Sequence, residues 1–241
     1  MAILDIETRY LPASLVPCSI EERGDAADPV FTGMSPPWDS WSEDLGFRER
    51  FMPGSFRDVL ADPALDVVAN WQHDDGFPLG RTGNGTLQIQ ETARGLEWKS
   101  VPIWPSARVA DYVAQVRGGY VTGTSFAFTQ NDPKGEVWAM DGEEITRTIF
   151  RASGLFDVAV VTHPAYSKSE VGLRRRDAWA AANLTAREVS RIHERDRDRA
   201  ADRARAAGTV HPKLDTTGLK SSFVRASAAV ARLSMISRGS R

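Results

Sequence analysis

The pattern of apolar and polar positions predicts a chain built mainly of short strands. Residues 66–73, "DVVANWQH", form a β-branched, apolar run with the character of a buried strand. Residues 85–103, "GTLQIQETARGLEWKSVPI", read as a hairpin, with 86–90 and 96–101 as arms around Arg94-Gly95. In 106–119, "SARVADYVAQVRGG", the apolar residues Val109, Tyr112, Val113 and Val116 recur at helical spacing. Ser106 is placed to cap that helix and Gly118-Gly119 to stop it. Strand patterning returns over 120–129, over a hairpin pair around 139–145 and over 155–163. Many strands with one or two helices imply a mostly β fold with a few helices (α+β), its strands closed or nearly closed into a β-barrel-like domain.

Pro164 ends this pattern. From 173 to 207 the chain is rich in Ala, Arg and Asp, the composition of a solvated helix with few core positions. The stretch "GTVHPKLDTTG" over 208–218 reads as a linker, and 222–236 as a short basic amphipathic helix. Three segments follow: a globular domain over 1–172, an Arg/Asp-rich helical segment over 173–207, and a linker with a basic tail over 208–241.

Charge sharpens that division. The net charge is −2, but residues 174–241 hold 16 Lys and Arg against 7 Asp and Glu, and residues 1–173 hold 14 against 25. An acidic body at −11 thus precedes a basic segment at +9, which implies separate partners for the two. The single cysteine, Cys18, excludes an internal disulfide and reads as a small buried apolar residue rather than a nucleophile. No run approaches the ~18 apolar residues of a membrane span, and the acidic first nine residues are unlike a signal peptide. The protein is expected to stay where it is made and to contact no membrane.

Two residues stand out chemically. His73 closes the apolar run in "NWQHDDGFPLGR", at a strand–loop edge of the kind where sites form, although a surface histidine has the same signature. Ser125 lies in "YVTGTSFAF" (120–128). Alternation puts Val121, Gly123, Ser125 and Ala127 on one face and Thr122, Thr124, Phe126 and Phe128 on the other. The phenylalanines anchor the strand in a core. The small face admits a close neighbour, either a substrate strand or a packed element, and the local pattern favours packing. "GTSFA" is not the G-x-S-x-G elbow, since Ala127 replaces the second glycine and no helix follows. No P-loop, G-x-G-x-x-G, H-E-x-x-H or cysteine cluster occurs, so neither cofactor nor metal is expected.

The order of several stretches changes the balance. "ETRYLPASL" (7–15), "FRERFMPGSF" (47–56), "VVANWQHDDGFPLGRTGNGTLQI" (67–89), "GLEWKSVPI" (95–103), "VRGGYVTGTSFAF" (116–128) and "FDVAVVTHPAY" (156–166) follow one another along the chain. Together, over about 5–176, they resemble the HK97-type prohead maturation proteases of tailed phages. The resemblance implies a serine endopeptidase with a fold related to the herpesvirus assembly proteases. It implies work inside the procapsid in the host bacterial cytoplasm, cleavage of scaffold or of the capsid protein's delta segment, and then self-digestion. The family's histidine falls on His73 and its serine on Ser125, with Gln-His-Asp here in place of the commoner Asn-His-Asp.

The third member has two candidates. The family's acidic residue falls on Asp157, whereas the herpesvirus relatives use a second histidine, which would be His163. On a regular strand the two lie about 20 Å apart, so only one reaches His73. Asp157 is preferred, because an acceptor carboxylate fixes the imidazole tautomer directly. Backbone N–H groups, with Arg147 or Arg151, are expected to hold the oxyanion. Expected partners are the major capsid protein or scaffold as substrate, and further copies of the chain. The basic segment reads as a dock for acidic capsid or scaffold regions, and its lack of interleaved aromatics argues against nucleic-acid binding. A non-catalytic assembly factor that keeps the fold is the competing reading. Intact His73 and Ser125 count against it.

Overall fold

The structure is a computed structural model that describes residues 5–11, 18–22, 28–162 and 170–209. The first strands are β1 (Ile6–Leu11), β2 (Ser19–Glu22), β3 (Pro29–Pro37) and β4 (Arg48–Phe51). A single turn, α1 (Arg57–Leu60), leads to β5 (Val68–Trp71), β6 (Asp74–Arg81), β7 (Leu87–Glu91) and β8 (Gly95–Ser100). Helix α2 (Ala107–Arg117) precedes β9 (Gly123–Thr129), β10 (Glu136–Asp141), β11 (Glu144–Ile149) and β12 (Gly154–Val161). Helices α3 (Glu170–Asn183) and α4 (Ala186–Thr209) follow.

The strands form a five-stranded sheet in the order β1-β9-β12-β5-β6, a three-stranded sheet β10-β11-β4 and a four-stranded sheet β2-β3-β8-β7. The mostly β reading holds. The closed barrel does not: among the described residues each sheet has an open strand order, with an isolated bridge, Trp38–Phe51, at the β4 edge, so the core is made by packing sheets rather than by closing one. The expected hairpins are β7–β8 and β10–β11, and α2 begins where expected, with Ser106 Oγ accepting the Val109 N–H at 3.5 Å.

β9 is an inner strand of the largest sheet, antiparallel to β1 on one side and β12 on the other. Its Phe126 and Phe128 are fully buried against Phe51 of β4, with ring centroids 5.5 and 5.1 Å away, and Phe56 closes on Phe126. This aromatic block fastens the three-stranded sheet to the five-stranded one. The four-stranded sheet abuts β9 at Gly33, where a Cβ would lie 2.3 Å from the Trp98 ring and 2.8 Å from Thr124. Tyr112 of α2 stacks on Trp71 of β5 at 4.1 Å, seating the helix beside the end of that strand.

Two compact units divide the chain, Met1–Ser190 and Arg191–Arg241. The expected boundary after residue 172 falls inside α3, which buries Gly172, Arg176 and Ala180. Arg176 Nη1 donates to the Gly46 carbonyl at 2.7 Å, which ties α3 to the body at this point. Most other described positions over 173–205 are exposed, as expected of a solvated helix with few core positions. The second unit contains the rest of α4, in which Arg alternates with Asp and Glu. The expected linker and basic tail lie outside the described residues except for 208 and 209. No described helix is long and apolar enough to cross a membrane.

Candidate active site

β5 and β6 are joined by two residues, Gln72 and His73, between the paired Trp71 and Asp74. Both have positive φ, 61° and 58°, which makes this a tight hairpin turn of the type usually supplied by Asn-Gly. Neither residue has that freedom, so the turn is strained by about 1–3 kcal/mol per residue. The turn lifts the His73 ring off the strand end and over the five-stranded sheet.

Asp157 owes its direction to an irregularity in β12. Leu155 pairs with Phe128 and Asp157 with Ala127, which leaves Phe156 as an extra residue, a β-bulge. Without it Leu155 and Asp157 would share a face. With it, Leu155 stays in the core and Asp157 turns to the face that carries Ser125 and Ala127.

Three side chains meet on that face. His73 Nε2 is 2.6 Å from Ser125 Oγ, and His73 Nδ1 is 2.9 and 3.0 Å from the two oxygens of Asp157. A carboxylate only accepts, so Nδ1 carries the proton and Nε2 presents its lone pair to the serine. Ser125 Oγ also lies 2.8 Å from the Arg9 carbonyl of β1. One hydroxyl proton therefore faces two acceptors, the imidazole and the carbonyl. Tyr10, paired with Ser125 across β1–β9, sets its ring edge-on to His73 at 5.5 Å. Burial and then the Asp157 carboxylate hold the Tyr10 phenol above its ordinary range.

Ser125 is fully buried, while the His73 and Asp157 side chains are 15% and 18% exposed. A cleft of about 330 Å³ reaches them over Thr8, Tyr10, Ala127 and Phe156. The small face of β9 is thus used in two ways. A Cβ on Gly123 would meet the Leu11 carbonyl at 3.1 Å and Val161 at 3.2 Å, so glycine there makes room for neighbours. Ala127 instead lines the cleft.

The two arginines expected near an oxyanion lie elsewhere. Arg147 is completely buried and bonded to three carboxylates: Glu7 at 3.0 Å, Glu49 at 2.8 Å and Glu136 at 2.6 Å. Glu7 pairs with Phe128, on the core face, so this cluster sits on the side of the sheet away from Ser125. Arg151 is on the surface, paired with Asp132. Pattern reading missed this because an isolated arginine in a strand shows no partner. His163 lies outside the described residues. Burial pushes the Cys18 thiol up to about 12, which removes it as a nucleophile. Among the described residues no cluster of His, Cys, Asp and Glu could hold a metal ion.

A serine, an imidazole and a carboxylate in this order, at these distances, are the components of nucleophilic acyl transfer. The profile of the caudovirus prohead serine protease family matches the chain over residues 16–183, from before β2 to the end of α3. No curated protein and no solved structure matches it.

Proposed function

Since the chain belongs to the caudovirus prohead serine protease family, we propose that it is the endopeptidase of head maturation, with Ser125 as nucleophile, His73 as general base and Asp157 as the residue that orients His73. The observation that carries this is the continuous line of contacts from Ser125 Oγ through both imidazole nitrogens to the Asp157 carboxylate, at 2.6 and 2.9 Å. His73 Nε2 takes the hydroxyl proton as Oγ attacks the scissile carbonyl. The imidazolium then returns that proton to the leaving amine, and water repeats the sequence on the acyl-enzyme. The Asp157 carboxylate stabilises the imidazolium and fixes which nitrogen faces the serine.

The substrates are the scaffold or the delta segment of the capsid protein, cleaved inside the procapsid and followed by self-cleavage. Such a segment binds as an extended peptide in the cleft over Thr8, Tyr10, Ala127 and Phe156. Ser125 is buried behind this face, so a substrate carbonyl reaches Oγ from the cleft side, where His73 and Asp157 are partly exposed. The test is co-expression with the cognate capsid protein. Wild type is expected to process it, and Ser125→Ala and His73→Ala to leave it full-length. Processing that persists in both variants overturns the mechanism. A larger loss from a folded His163→Ala than from Asp157→Asn overturns the choice of Asp157.

A further inference from the structure

The turn that carries His73 is held from outside by a side chain that the chemistry above does not use. Gln72 is exposed, yet its amide closes on a single residue just past the end of β12. Its Nε2 donates to Thr162 Oγ1 at 2.5 Å, and its Oε1 accepts the Thr162 N–H at 3.2 Å. The Gln72 backbone N–H adds a third link, to the Val160 carbonyl at 2.9 Å. The strand it grips is the one that bears Asp157.

We infer that Gln72 is a positioning residue: its amide clamps the left-handed turn to β12 and so keeps the His73 imidazole between Ser125 and Asp157. Three facts meet here. The turn has positive φ at two residues that do not favour it, so it needs an external hold. The hold is two-point and directional, which fixes the turn's orientation as well as its distance. Its anchor, Thr162, directly follows the strand that carries the Asp157 carboxylate, so base and orienting group are referred to the same element. As a turn former alone, Gln would be a poor choice, since Asn or Gly suits the backbone better. Gln outreaches Asn by one methylene, and that reach takes its amide to Thr162.

The inference rests on the Ser125–His73 reading above, and its test separates the two. Purified full-length chain is reacted with a fluorophosphonate, a general probe of activated serines, and the inactivation constant and the reversible probe affinity are measured separately. Gln72→Gly relaxes the backbone while deleting the clamp. It is expected to keep or raise the thermal midpoint, leave probe affinity unchanged, and lower the inactivation constant about 10- to 100-fold, the scale of a small misplacement of a reacting group. Gln72→Asn is expected to follow it. Gln72→Glu, whose carboxylate still accepts from the Thr162 N–H and hydroxyl, is expected to retain most of the wild-type rate. Gln72→Gly labelling as fast as wild type, in a reaction that Ser125→Ala abolishes, overturns the inference alone. Labelling that survives Ser125→Ala overturns the reading beneath it.

Discussion

Ser125 and Phe126 are neighbours on β9, but the two faces they look onto treat polar groups in opposite ways. On the Phe126 face, Glu7, Arg9, Glu49 and Arg147 are buried together and saturate one another, with Arg9 Nε 2.7 Å from Glu49 and Arg9 Nη2 2.6 Å from Glu7. On the Ser125 face the polar groups form an open line that ends at a cleft, and each link still has something to give: a proton, a lone pair, a negative charge. Arg9 belongs to both, its guanidinium in the cluster and its carbonyl on the serine hydroxyl. Buried charge alone therefore does not mark a catalytic site. What separates the two faces is saturation: a buried ion cluster in balance holds a structure, whereas a partly exposed chain of unequal acids can move a proton.

The sharpest way to break the contrast is to remove the proposed nucleophile. Ser125→Ala is expected to lower peptidase activity by about 10⁶-fold while leaving the thermal midpoint close to wild type, measured by capsid-protein cleavage and calorimetry. Asp157→Asn comes next, with a loss on the order of 10⁴-fold, since a neutral amide no longer fixes the tautomer. If Asp157→Asn loses stability rather than rate, the carboxylate belongs with the structural charges. The opposite face is predicted to give the opposite split. Arg147→Met takes away the cation that Glu7, Glu49 and Glu136 share, leaving Arg9 to face both Glu7 and Glu49, and is expected to cost about 3–5 kcal/mol of stability, by denaturant unfolding. Activity per folded molecule is expected to hold. A catalytic loss at intact stability would place Arg147 in the site after all.

How much of this was legible in the sequence depends on the range of the interaction. Alternation within β9 correctly separated Ser125 and Ala127 from Phe126 and Phe128, because period two is set by one strand's own backbone. The α2 cap and the β7–β8 hairpin were readable for the same local reason. The closed barrel was not a safe extension, since closure depends on which edge strands meet. The His73 turn hid because Gln-His carries none of the usual turn chemistry, its hold coming from Thr162, ninety residues away. The bulge at Phe156 hid likewise: one unpaired residue has no compositional signature, yet it decides which way Asp157 points. The buried cluster draws Glu7, Glu49, Glu136 and Arg147 from four strands, and apart from Glu136 and Arg147, on the two arms of one hairpin, they lie far apart along the chain.

The smallest expected effect tests the balanced face by pH. Burial alone would raise the Glu7 carboxyl, but the charges of Arg9 and Arg147 outweigh it and hold the group below its ordinary 4.5. A carboxyl whose value is depressed on folding binds its proton more readily in the unfolded chain, so stability rises with pH across the interval between the two values. Its contribution is complete above about 4.5 and drains away as the pH falls from there through the folded value. For one proton the slope is at most about 1.4 kcal/mol per pH unit. Urea unfolding between pH 6 and pH 3 is expected to show a decline that steepens below 4.5. Glu7→Gln, though less stable throughout, is expected to decline less steeply there. Equal slopes in the two proteins would mean that Glu7 does not carry the linkage.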